Sequence, residues 1–170
     1  ARRGDGQGGA EAALRDGACV NSSNPRGTPA LMMTIFKHRN RIAKLLLARG
    51  ADVHRQHHNS EGCVFIAAEV GNSELLVALA EAGADVKTPT SGGTAPAGVA
   101  AAKGHVEVLR LLAELGADVT TPTNKGATPA NIAAQKGHVE VARLLAKIGA
   151  GATLACIAAQ ECLRHQRQPR

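Results

Sequence analysis

Residues 126–149 read GATPANIAAQKGHVEVARLLAKIG, and this stretch contains one whole structural unit. The Thr128 hydroxyl can accept hydrogen bonds from the free backbone N–H groups of a starting helix, and Pro129 loses nothing at a first helical position. A short helix to about Lys136 follows. Gly137 supplies the positive φ that reverses the chain, and Val139, Val141, Ala142, Leu144, Leu145 and Ile148 recur at helical spacing. That recurrence predicts a second, amphipathic helix, closed by Gly149 as a left-handed C-terminal glycine.

Working outward, Gly17, Gly50, Gly83, Gly116 and Gly149 are separated by 33 residues each, with Ala18, Ala51, Ala84, Ala117 and Ala150 in step. A repeat of this length marks an array of stacked units. Isolated helices shorter than roughly 12 to 15 residues are marginal in water, so a pair of short helices needs its neighbours to cover its apolar faces. Composition agrees: Trp and Tyr are absent, and Phe occurs only as Phe36 and Phe65. The core must therefore be built from small aliphatic contacts. Between units, ADVKTPTSGG at 84–93 and ADVTTPTNKG at 117–126 lack helical periodicity but carry Pro and Gly, and are predicted to be extended turns projecting from the stack.

The 33-residue unit, the Thr-Pro helix start and the Gly-His step at Gly104-His105 and Gly137-His138 resemble the ankyrin-repeat family. The resemblance covers about residues 10–163. It implies an all-α solenoid of stacked helix-turn-helix units with projecting β-hairpin loops, and a role in binding another protein through the hairpin tips and the inner-helix face. The expected layout is a disordered Gly-rich tail at 1–9, an outer half unit at 10–23, and units at about 24–56, 57–89, 90–122 and 123–151. A hairpin-less cap helix at 152–163 and a basic tail at 164–170 complete it.

The family's T-P-L-H tetrapeptide is intact nowhere. The fourth unit reads Thr128-Pro129-Ala130-Asn131, the third Ala95-Pro96-Ala97-Gly98 and the second Gly62-Cys63-Val64-Phe65. Each missing histidine should remove a hydrogen bond worth about 0.5–1.5 kcal/mol, predicting a soft solenoid. In the first unit one residue is inserted near FKHRNR, placing His38 where the turn glycine belongs; either a non-glycine residue is held at positive φ or the loop is rebuilt. The first inner helix, with Leu31, Met32, Met33, Ile35 and Phe36, carries more bulk than the others, some of it expected to need covering from outside the unit.

The best candidate binding residues lie at the tips of the connections: His54, Arg55, His57 and His58 in the first, Lys87, Thr88 and Thr90 in the second, and Thr120, Thr121, Thr123, Asn124 and Lys125 in the third. They project and vary between units; the competing reading is a plain solvated loop. HRQHH at 54–58 gathers three imidazoles, but without cysteines or a second cluster it reads as a polar loop rather than a metal site. The formal charge of +6 is concentrated in Arg26, Lys37, Arg39, Arg41, Lys44, Arg49 and Arg55, facing the single nearby acid Asp52. This points to a protein partner with an acidic surface. Nucleic acid is disfavoured because no Tyr or Trp offers a stacking platform.

Catalysis is not expected: no phosphate-binding, nucleophile-elbow or zinc-protease motif occurs. His105-Val106-Glu107 and His138-Val139-Glu140 are repeat elements with a glutamate at a helix start. Thr88-Pro89 and Thr121-Pro122 match the minimal substrate of proline-directed kinases. Cys19, Cys63, Cys156 and Cys162 lack metal-type spacing, and no cofactor, small-molecule substrate or membrane span is expected. The expected location is the cytoplasm or nucleus. The alternative function is a structural segment or regulatory appendage of a longer array with no partner site of its own.

Overall fold

The computed structural model describes residues 19–149. The expected Gly-rich tail, most of the N-terminal half unit, the cap helix and the basic C-terminal tail lie outside these residues. Within them the chain forms four helix pairs: α1 (Ala30–Phe36) with α2 (Asn40–Ala48), α3 (Cys63–Val70) with α4 (Ser73–Glu81), α5 (Pro96–Lys103) with α6 (Val106–Glu114), and α7 (Pro129–Lys136) with α8 (Val139–Ile148). The inner helices α1, α3, α5 and α7 stack in order, as do the outer helices α2, α4, α6 and α8, and each pair packs within itself. The result is a two-layered all-α solenoid.

The expected starts hold in detail. Thr128 caps α7, its hydroxyl accepting from the Asn131 N–H at 3.2 Å, and Pro129 and Pro96 open their helices. Gly71, Gly104 and Gly137 end the second, third and fourth inner helices at φ between 75° and 81°, a region that side-chain-bearing residues enter only with strain. In the first unit His38 itself takes φ 51°, so the first of the two alternatives is the one adopted, and the turn from Phe36 to Asn40 is one residue longer than its counterparts.

One expectation fails. Gly149 is not left-handed: it leaves α8 extended, at φ −114° and ψ 106°, while Gly50, Gly83 and Gly116 all take positive φ. Each of those three is followed by an alanine whose N–H bonds back to a carbonyl of the helix just ended, such as Ala117 to Leu112 at 2.9 Å. Gly149 instead lies buried beneath Thr120, whose methyl group would come within 2.9 Å of a Cβ added there. Close contact with the preceding connection, not left-handed geometry, requires the glycine.

The core runs continuously between the two layers. Cys63 to Ala68 in α3 and Pro96 to Ala101 in α5 are buried without interruption, because these helices have an inner neighbour on each side and an outer helix behind. In α7 only Pro129, Ala130 and Ala133 are buried. The outer helices bury one stripe each, with Leu75, Leu76 and Leu79 in α4 and Leu109 and Leu112 in α6 fully enclosed. In the first inner helix Leu31, Met32 and Ile35 are covered within the chain, and Phe36 stays 41% exposed.

Candidate functional site

The three described connections rise from the same end of successive units, each shaped by an aspartate at a constant place: Asp52, Asp85 and Asp118. Each carboxylate accepts the backbone N–H two residues on, from His54 at 2.9 Å, Lys87 at 2.7 Å and Thr120 at 2.7 Å respectively. In the second connection the Thr88 hydroxyl also donates to Asp85. In the third, Asp118 accepts from the hydroxyls of Thr120 at 2.7 Å and Thr121 at 2.5 Å and from the Thr121 N–H at 3.2 Å. These donors stabilise the ionised carboxylate. The Thr121 and Thr120 hydroxyls, with the Thr120 amide, hold Asp118 down to about 2, and the Thr88 hydroxyl and Lys87 amide lower Asp85 in the same sense.

A second set of bonds runs from tip to tip. The Ser91 N–H donates to the Asn59 carbonyl at 2.9 Å, and the Asn124 side-chain amide donates to the Ser91 carbonyl at 3.2 Å. Arg55 donates to the Asn21 carbonyl at 2.6 Å, and the Thr28 hydroxyl shares a 2.8 Å hydrogen bond with the His57 ring. The rim is thus cross-linked along its length rather than being three independent loops.

The candidate residues therefore fall into two groups. Arg55, His57, Thr88, Thr120, Thr121 and Asn124 spend their polar groups on the connections themselves. The Thr90 and Thr123 hydroxyls accept, at 3.3 Å, from the N–H groups of Thr94 and Ala127. His54, Lys87 and Lys125 are exposed on the rim, and His58 begins a short 3-10 turn, His58–Ser60. Among the described residues no group of three or more His, Cys, Asp or Glu is placed to hold a metal ion. Sequence reasoning missed the aspartates and the Asn59–Ser91–Asn124 ladder. The aspartates were legible, since an Asp two or three residues before Thr is a side-chain-capped turn signal.

Below the first two connections lies a cavity of about 190 Å³, with Val53, Val64, Phe65 and Pro96 as apolar wall and His54 and Asp85 at its polar edge. Phe65 stands where the tetrapeptide has its histidine, and Gly62 where it has threonine, so the departures from the repeat pattern shape this opening. Cys63 beside it is 1% exposed, and burial, aided by the Asp52 carboxylate, pushes its thiol up to about 12. It stays a protonated, unreactive thiol near neutral pH. Cys19 and Cys63 are both free.

Stacked helix pairs with a cross-linked rim of connections define a helical-repeat solenoid. The chain belongs to the ankyrin-repeat family: a model of three ankyrin repeats matches residues 64–156, more than half of its length. Ankyrin repeats are generally protein-interaction modules and typically non-enzymatic. No curated protein matches the chain. Among the described residues no helix is long and apolar enough to cross a membrane.

Proposed function

We propose that the chain captures a protein partner along the rim of connections and the adjoining inner-helix face, and that the partner presents an acidic surface. The observation that carries this reading is the cross-linking of the rim: a binding surface held in shape before contact loses little conformational entropy on association. On that surface the side chains free to meet a partner are His54, Lys87 and Lys125 rather than the inward-bonded threonines. The exposed Lys37 and Arg39 at the first inter-helix turn extend the positive field that would steer an acidic partner toward the array. Within this reading the repeat layout at about 24–56, 57–89, 90–122 and 123–151 supplies one connection per junction.

The test is a pull-down from cell lysate with the native chain and a Lys87→Glu/Lys125→Glu variant, after circular dichroism has shown equal helicity. A partner held by the native chain, weakened tenfold or more in the variant and released as salt rises supports the reading. A partner held equally by both moves the interface away from the rim.

A further inference from the structure

We propose that Thr121, and Thr88 in the preceding connection, are phosphorylation sites for a proline-directed serine/threonine kinase, and that the phosphate releases the aspartate clamp shaping each connection. Thr88 and Thr121 are 33 residues apart; each is exposed, lies outside the helices, precedes a proline and follows an aspartate by three residues. The same chemistry is therefore built twice. In the first connection the corresponding residue is Arg55, which instead bonds the Asn21 carbonyl, so no third site exists there.

Kinases act on a short segment that can be drawn out with its hydroxyl accessible. The bonds that shape residues 118–121 run to the Asp118 carboxylate, from the N–H groups and hydroxyls of Thr120 and Thr121. Backbone pairing resumes only at Thr123, whose N–H donates to the Ala127 carbonyl at 2.9 Å. Breaking these side-chain bonds frees the segment while α6 and α7 stay folded.

In the reaction the threonine hydroxyl oxygen attacks the γ-phosphorus of magnesium-bound ATP. The bond from that phosphorus to the β,γ-bridging oxygen breaks, ADP leaves, and the hydroxyl proton passes to the kinase's base. The ester carries about −1.5 to −2 charge at pH 7. Its oxygen has no proton left to donate to the aspartate, and the new charge repels the carboxylate that the hydroxyl had stabilised. The hydroxyl bond is lost outright, and the repulsion works against the bonds that remain, from Thr120 and the Thr121 N–H to Asp118 and from the Lys87 N–H to Asp85, so that the clamp opens. If a partner with an acidic surface occupies the rim, as proposed above, phosphorylation weakens its capture; that consequence rests on the binding proposal, whereas the modification does not.

Thr120 and Thr90 are internal controls, sharing the connections but followed by Thr121 and Ser91 rather than proline. The full chain is incubated with a proline-directed kinase and magnesium ATP, the kinase's activity being checked on a generic Thr-Pro peptide, and the product is mapped by fragmentation mass spectrometry. Phosphate at Thr88 and Thr121 but not at Thr90 or Thr120 is expected. By carbon-13 NMR the Asp118 carboxyl, silent between pH 6 and about 3 in the unmodified chain, should then titrate within that window. An active kinase that leaves both threonines unmodified overturns the site assignment, and a phosphorylated chain whose Asp118 titration is unmoved overturns clamp release.

Discussion

Between the third and fourth units the His138 ring lies over Gly104 and its Nε2–H donates to the Ala102 carbonyl at 3.1 Å. His105 does the same one unit earlier, over Gly71, with the Glu69 carbonyl at 3.0 Å. A carbonyl only accepts, so both rings must carry the proton on Nε2. Between the first and second units nothing of this kind exists. His38 fills the glycine place, and the second unit offers Asn72 in place of a histidine ring. The Asn72 amide donates to the Asn40 carbonyl oxygen at 2.7 Å, the Asn40 amide to Glu74 at 2.6 Å, and Lys44 pairs with Glu74 at 2.5 Å. The difference teaches that the turn glycine is required twice: for its backbone conformation, and for the ring of the next unit. Where the second requirement lapses, the first is met at some strain by His38.

Gly104→Ala should produce the largest effect that tests this. A Cβ at Gly104 would lie 2.7 to 3.1 Å from three atoms of the His138 ring, in addition to the strain of φ 81°. We expect a loss of about 2–5 kcal/mol, combining left-handed strain with overpacking. Gly116, equally left-handed at φ 77° but with nothing within 4 Å of an added Cβ, is the reference, and Gly116→Ala should lose only about 1–2 kcal/mol. Urea unfolding of both variants measures the gap; equal losses would mean that the ring imposes nothing on the glycine.

The same claim can be sharpened by a cycle. His138→Ala alone removes the bond to Ala102 and should lose about 0.5–1.5 kcal/mol. Combined with Gly104→Ala it should lose about 1–2 kcal/mol less than the sum of the two single changes, because the ring that met the new methyl group is gone. Strict additivity would place the strain elsewhere.

At the first unit the sign reverses. His38→Gly relieves the left-handed strain, partly offset by the greater freedom of glycine in the unfolded chain, and a gain of about 0.5–1 kcal/mol should appear as a higher urea midpoint. A loss would show that the exposed His38 ring makes contacts that matter to the fold.

The smallest effect is one of pH. Hydrogen bonds from Lys44 and Asn40 hold Glu74 below the ordinary glutamate range. A carboxylate depressed in the folded state stabilises it above the unfolded pKa, and that contribution is lost as pH falls through the folded value. Mild acid should therefore loosen the first junction before the fourth unit. Hydrogen exchange should speed up in α2 relative to α8 below about pH 4.5, the unfolded range of a glutamate; uniform acceleration would remove the ion pair from any such role.

The repeat period, the helix starts at Pro96, Thr128 and Pro129, and the turn glycines were legible because they are local chemistry: a cap, a fixed φ, a permitted left-handed residue. The inserted residue at FKHRNR was equally visible as a break in register. What misled was Gly149. The sequence shows a glycine after a helix, but whether it is left-handed there or only small enough to lie beneath Thr120 depends on a contact between units. The roles of the tip residues within the fold were hidden in the same way. In the sequence Thr88, Thr121, Asn124 and Arg55 are polar residues of exposed connections, and only the fold shows that they also hold aspartates, carbonyls and neighbouring connections.

By itself, then, the sequence determined the unit, its repetition and the all-α stack, since helix signals and apolar spacing act within about 20 residues of chain and repeat without interference. Only the tertiary structure decided which polar side chains face outward. A hydrogen bond between residues about 33 apart exists only once two units have docked, and its geometry depends on how closely their backbones approach. That is why His105 and His138 appear in the sequence as turn residues, and in the structure as the joints between units.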